Sequence, residues 1–407
     1  MFDQASDPQT LGFDPARLAR FQPWMQGWVD SGRLPGAQVL IARRGRVVHH
    51  ALAGLRDVEG GVPWTRDTLV RIYSMTKPVT SVAFLMLFEE AKVHLDTPLD
   101  EILPEFRDVR VLAPGATALD EVQAPAARLT VHHLLTHTSG LTYGFNEGPV
   151  AEAMRDRKLD FSAKEEALET TVRRLAELPL NFDPGARWNY GVSTDVLGRV
   201  VEVVSGVPLA QFFRERIFEP LGMDDTFFAV PKDRLDRMAS CYVKTPELDM
   251  KLLERGAETA YAEGGVRQAS GGGGLVSTID DYLRFAEMLR GRGALGDVRL
   301  LAPTTVDLMT TNALRGDLAA NGQPVFSEVS YDGIGFGLGV SVTLDPGLAK
   351  TAGNVGDYGW GGMASTVFWV DPKREMTTIF LTQLVPSSTW PLRKEMRALT
   401  YAALVAP

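Results

Sequence analysis

Ser74-Met75-Thr76-Lys77 places a hydroxyl and an amine three positions apart. On a helix, positions i and i+3 share one face, so Ser74 and Lys77 can meet. A serine hydroxyl is a useful nucleophile only when a base takes its proton. Lys77 suits that task when neutral. At a pKa of about 10.4 only about 0.04% is neutral at pH 7, so burial must lower it or a second group must share the work. The apolar positions Val79, Val82, Ala83, Leu85 and Met86 that follow offer such burial. Pro78 lacks an N–H and fits only in or beside a first helical turn. That puts the helix start near Ser74, where the backbone dipole favours developing negative charge. Taken alone, the tetrapeptide also fits an ordinary N-cap serine and a solvated lysine.

The surrounding elements follow from periodicity. Leu18, Phe21, Met25 and Val29 fall at helical spacing within 14–31, and Pro35-Gly36 ends the segment. Runs 37–42 and 46–49 flank Arg44-Gly45 as a β-hairpin. Residues 96–128, rich in Pro, Asp and Leu, read as loop with short helices. Helical patterns return at 130–135, 163–178, 194–205 and 208–217. Gly271-Gly272-Gly273-Gly274 reads as a turn requiring positive φ, with a helix over 279–289 beyond it. Strand-like runs at 334–343, 364–370 and 376–382 precede a last helix over 391–404. Strands at both ends of a helix-rich middle predict an α+β (mixed α/β) fold. One domain comprises 1–94 plus 265–407, and 95–264 form an inserted, mostly helical domain.

The 407 residues carry 42 Lys plus Arg, 51 Asp plus Glu and one cysteine, Cys241, for a formal charge of −9. One cysteine excludes a disulfide framework and cysteine-rich zinc sites. An acidic chain has no general footprint for nucleic acid or an anionic membrane. The longest apolar run, 82–88, is far short of the roughly 18 to 20 residues of a membrane span. The first ten residues lack the basic and apolar parts of a secretory signal, so a cytoplasmic location is expected.

Further segments stand in order along the chain. Leu134-Leu135-Thr136-His137-Thr138-Ser139-Gly140-Leu141 is a helix end running into a turn. Trp188-Asn189-Tyr190-Gly191-Val192-Ser193 precedes a helix, and Trp360-Gly361-Gly362-Met363 is a Gly-flanked strand start. With Ser74–Lys77 and the 270–278 segment, this order resembles the serine β-lactamase and penicillin-binding-protein superfamily. The likeness is to the class C β-lactamase-like family, nearest the family VIII carboxylesterases, and runs from Pro35 to Phe380.

That resemblance implies an antiparallel sheet flanked by helices and an acyl-enzyme mechanism. Ser74 would be the acylated nucleophile, Lys77 its activator and Tyr190 a base or proton relay. The N–H groups of Ser74 and Met363 would form the oxyanion hole. Two positions depart from the class C pattern. Val192 stands where an asparagine contacts the β-lactam side chain, and Trp360-Gly361-Gly362 stands where Lys-Thr-Gly holds a carboxylate. Apolar surface in place of an amide and a cation favours a neutral ester over a carboxylate-bearing penicillin or peptide. Val192, Trp360, Gly361 and Gly362 are therefore the expected substrate-binding positions.

Other chemistries find less support. No Gly-x-Ser-x-Gly elbow is present. His133 and His137 lie at i, i+4 but without a third ligand or a His-Glu-x-x-His frame, so no metal is expected. The glycine run lacks the Lys-Ser/Thr of a phosphate loop. Cys241 reads as an inert small hydrophobe. The expectation is a cofactor-free serine carboxylesterase acting on a small-molecule ester with a short acyl chain. The alternatives are a β-lactamase or D-amino-acid peptidase, an acyltransferase, and a non-enzymatic binding protein. Oligomeric state is not legible in the residues.

Overall fold

The computed structural model describes residues 7–406 except 160–165, 248, 267, 323–324, 327–328 and 388. Its centre is an eight-stranded sheet drawn from both ends of the chain. In chain order the strands are β1 (Gly36–Arg43), β2 (Arg46–Asp57), β3 (Val62–Pro63), β4 (Ile334–Phe336), β5 (Ser341–Thr343), β6 (Tyr358–Gly361), β7 (Val367–Asp371) and β8 (Met376–Thr382). They lie in the order β4-β5-β6-β7-β8-β1-β2-β3, and every neighbouring pair is antiparallel. Arg44 and Gly45 join β1 to β2 with φ of 52° and 77°. Two left-handed residues suit the turn whose twist matches that of the flanking strands.

Both faces of the sheet are covered, so β1 is apolar on both sides rather than alternating. Leu40 and Ala42 enter a core with helices Thr76–Glu89 and Ile279–Arg290, while Val39 and Ile41 face helices Phe21–Asp30 and Leu392–Ala403. The expected strand over 334–343 is two strands. Between them Gly339 has φ 91°, and a Cβ there would strike Ser81 Oγ of helix Thr76–Glu89. The first predicted helix is likewise two, Pro15–Leu18 and Phe21–Asp30. The Pro23 ring would clash with the Ala19 carbonyl in a continuous helix.

Residues 95–264 carry helices Leu99–Ile102, Val131–Leu135, Pro149–Asp156, Leu168–Leu175, Ser193–Ser205 and Leu209–Phe213. They also carry a ribbon, Cys241–Lys244 with Met250–Glu254, which pairs with Leu384–Val385 beyond the sheet. Part of the helix expected over 163–178, residues 163–165, lies outside the described residues. Among the described residues no single helix is long and apolar enough to cross a membrane.

Candidate active site

Helix Thr76–Glu89 is built to bury its lysine. Thr76 to Leu87 are all buried, and the helix packs against Ser193–Ser205. Pro78 keeps regular helix from extending back through Ser74, because its ring would meet the Ser74 carbonyl. The chain there forms a single 3-10 turn, Tyr73–Met75, before the α-helix begins at Thr76. Tyr73 sits at φ 43°, a left-handed conformation that is costly for a bulky residue. Such strain concentrates at functional positions. Here it stands immediately before the half-buried Ser74.

Lys77 has no exposed surface. Its Nζ lies 3.0 Å from Ser74 Oγ, 2.9 Å from Tyr143 Oη and 2.7 Å from the Gly272 carbonyl oxygen. As an ammonium it donates to all three. As an amine it can donate to Tyr143 and Gly272 and point its lone pair at Ser74. Burial foremost, then the neighbouring Tyr190 and Asp195, pushes the Tyr143 phenol well above its ordinary range, so it stays protonated.

Tyr190 reaches the same centre from the turn before Ser193–Ser205. The Lys77 Nζ is 4.7 Å from its ring centroid. The Trp360 indole N–H donates to Tyr190 Oη at 3.2 Å. His137 packs against the Tyr190 ring with centroids 5.1 Å apart. Burial, and then the Lys77 charge, hold the His137 imidazole well below its usual range, so it is a neutral wall. His133 is oriented elsewhere, its Nδ1 accepting from Thr130 N at 3.1 Å as a helix cap. The two histidines therefore form no ligand pair. Among the described residues no group of three or more His, Cys, Asp or Glu is placed to hold a metal.

The Trp360-Gly361-Gly362 stretch must pass close to the segment that leads into Ser74. A Cβ on Gly362 would strike the Ile72 carbonyl oxygen, two residues before Ser74. Gly361 faces the other side of the sheet, where Arg393 lies against it. β5 pairs with β6 only at Tyr358 and Gly359, so the edge at Trp360 and Gly361 is open on that side. A cavity of about 650 Å³ lies beside this edge, with Ser74, Tyr143, Tyr190, Trp360 and Met363 in its wall and Phe145 at its rim. Phe145 is 60% exposed and stacks on Tyr143 at 4.8 Å.

Ser74, Lys77, Tyr190, Trp360, Gly361, Gly362 and Met363 thus converge on one site. Val192, expected at the substrate, does not join them. Its side chain is fully buried in the core at the start of Ser193–Ser205 and does not line the cavity. Three participants carried no sequence signal: Tyr143, the Gly272 carbonyl and Asp195. Asp195 accepts from Ser270 Oγ at 2.5 Å and from Gly272 N at 3.0 Å. The glycine run also differs from expectation. None of Gly271 to Gly274 has positive φ. Glycine is needed there for close approach, since a Cβ on Gly272 would strike Asp195 and one on Gly271 the Thr194 carbonyl.

The Beta-lactamase family model matches residues 21–402. Esterase EstB of Burkholderia gladioli is 34% identical, over 97% of this chain and 98% of its own. Monacolin J acid methylbutanoyltransferase of Aspergillus terreus is 31% identical over 88% of each chain. The solved structure of EstCE1, described as a hydrolase with promiscuous acyltransferase activity, superposes with TM-score 0.79 at 29% identity. It covers 98% of this chain and 99% of its own. The chain belongs to the beta-lactamase family.

Proposed function

We propose that this protein is a serine carboxylesterase that cleaves neutral short-chain esters through an acyl-enzyme on Ser74. The observation that carries the reading is the buried Lys77 Nζ, 3.0 Å from Ser74 Oγ and held by two other acceptors. Neutral Lys77 takes the Ser74 proton as Oγ attacks the ester carbonyl carbon. The oxyanion is held by the N–H groups of Ser74 and Met363. Tyr190 relays the proton to the departing alcohol. Water then attacks the acyl-enzyme by the same route, and the acid leaves with Ser74 Oγ reprotonated. No metal or organic cofactor enters any step.

The apolar part of the cavity wall supports a neutral substrate. Phe145, Met154, Leu159, Trp360 and Met363 line it. Lys158, Arg393, Lys394 and Arg397 line the cavity as well. Arg155 is engaged with the Gly144 and Asn146 carbonyls and Arg397 with Asp357, while Arg393 lies against Gly361. Ser74, Lys77 and Trp360 come from the part of the chain that carries the sheet, while Tyr143, Phe145 and Tyr190 come from 95–264. That division supports an inserted domain that sets specificity. A cytoplasmic site of action belongs to the same reading, and the single, buried Cys241 suits a reducing compartment.

The test is turnover of p-nitrophenyl acetate and butyrate by wild type and Ser74→Ala. The reading expects a loss of about 10⁴-fold or more with the fold intact. Near wild-type activity in the variant contradicts it. A second reading is acyl transfer to an alcohol, favoured by the transferase activities named for two relatives. The same acyl-enzyme serves both. Adding methanol and measuring the ratio of methyl ester to acid separates them.

A further inference from the structure

Asp195 is a buried carboxyl that the proposed steps do not use. It is 1% exposed, in the first turn of Ser193–Ser205, four residues past the turn holding Gly191. It accepts a hydrogen bond from each of two groups of the glycine loop, the Ser270 hydroxyl and the Gly272 N–H. The carbonyl of that same Gly272 accepts from Lys77 at 2.7 Å. The loop has no room to shift, because the Gly272 Cα lies against the Asp195 carboxylate and Gly271 against the Thr194 carbonyl. Thr80 Oγ1 also fastens the loop from the nucleophile helix, donating to the Gly271 carbonyl at 2.6 Å. Each link is short, so a displacement of Asp195 must be felt at Nζ.

We propose that Asp195 is a positioning residue that, through the Gly272 peptide, aims Lys77 at Ser74 and sets how readily Lys77 gives up its proton. The inference rests on the esterase reading above. Two effects are combined. The geometric one is direction: with Gly272 O and Tyr143 Oη taking two N–H bonds, the remaining position on Nζ faces Ser74. The electrostatic one is charge: an anion in the same buried pocket favours the ammonium form of Lys77.

The ionisable groups around Asp195 are few. Lys77 faces it from the nucleophile helix, His137 and Tyr143 lie on the segment that follows Val131–Leu135, and Tyr190 precedes its own helix. His137 and Tyr143 are both held neutral, which leaves Lys77 as the partner charge. The glycine loop, residues 270–274, contributes no ionisable group. Burial foremost, opposed by Lys77 and the loop hydrogen bonds, raises the Asp195 carboxyl to about 6. Lys77 is thus the charge that an ionised Asp195 faces.

The test is the pH profile of kcat/KM for p-nitrophenyl butyrate in Asp195→Asn. The amide oxygen can still accept from Ser270 and Gly272, but the charge is gone. With the anion gone the ammonium form of Lys77 loses its support, so the acid limb moves to lower pH. The rate at which a fluorophosphonate labels Ser74 shifts in the same way, without a substrate. Asp195→Ala, which also removes the loop's anchor, lowers kcat about 100-fold while KM changes by less than about threefold. An acid limb that stays in place in a folded Asp195→Asn protein overturns the proposal, as does unchanged kcat in Asp195→Ala. If the alanine variant fails to fold, the asparagine profile alone decides. Failure of the esterase reading is distinguishable, because wild type would then not be labelled at Ser74 at all.

Discussion

The Trp360 indole N–H points at Tyr190 Oη, 3.2 Å away, across 170 residues of chain. The motif that lacks a carboxylate-binding lysine thus does more than fill space. Its tryptophan fixes the phenol that we assign to proton relay. Trp360→Phe keeps an aromatic ring but loses that donor. A neutral hydrogen bond contributes about 1 kcal/mol, which corresponds to a fall of about five- to tenfold in kcat/KM for p-nitrophenyl butyrate. An unchanged value would separate Trp360 from the relay.

Tyr143 Oη is a second acceptor for Lys77 beside the Gly272 carbonyl. Tyr143→Phe removes one acceptor and lets the amine rotate away from Ser74. We expect kcat to fall about tenfold with KM nearly constant, because the ring and its stack with Phe145 persist. Steady-state kinetics on two acyl chain lengths check this. A change confined to KM would make Tyr143 a substrate contact and not a lysine clamp.

The two glycines of the strand give opposite expectations. A Cβ on Gly362 meets the backbone at Ile72, which cannot yield without moving Ser74. One on Gly361 chiefly meets the tip of the Arg393 side chain, which can move. Gly362→Ala therefore costs about 100-fold or more in kcat, and Gly361→Ala less than about tenfold. Equal effects would show that the strand's approach to the nucleophile turn is not limiting.

Asp281 offers a stability test away from the site. It caps a neighbouring turn, accepting from Asp225 N at 2.7 Å and Thr226 Oγ1 at 2.9 Å. Burial foremost raises its carboxyl to about 6, above the ordinary value of 3.8. The folded state thus binds its proton more tightly than the unfolded chain does. That contribution is full below about pH 4 and is lost as pH rises through about 6, amounting to about 3 kcal/mol at most. Asp281→Asn, always neutral, should gain in Tm relative to wild type as pH is raised from 4 to 7. A difference in Tm that does not change with pH contradicts the assignment.

Local rules carried much of the fold. The Arg44-Gly45 turn, the buried nucleophile helix and the helix over Ile279–Arg290 follow from residue type and period alone. Ser74 and Lys77 were legible because one helical turn brings them together. Tyr143 and Asp195 were not, since each reaches Lys77 through tertiary packing, Asp195 by way of a loop 77 residues distant. The glycine run is ambiguous in sequence for a physical reason. Conformational freedom and close approach both call for glycine, and only the position of Asp195 tells them apart. Val192 was carried over from a motif position whose side chain here turns into the core.

The most direct measurement of the central claim is intact-mass spectrometry of the protein mixed with p-nitrophenyl butyrate and quenched in acid within the first turnovers, followed by peptide mapping. The account predicts a single butyryl adduct on the peptide containing Ser74, absent from Ser74→Ala. Rapid ester turnover with no adduct, or an adduct on another residue, would contradict it.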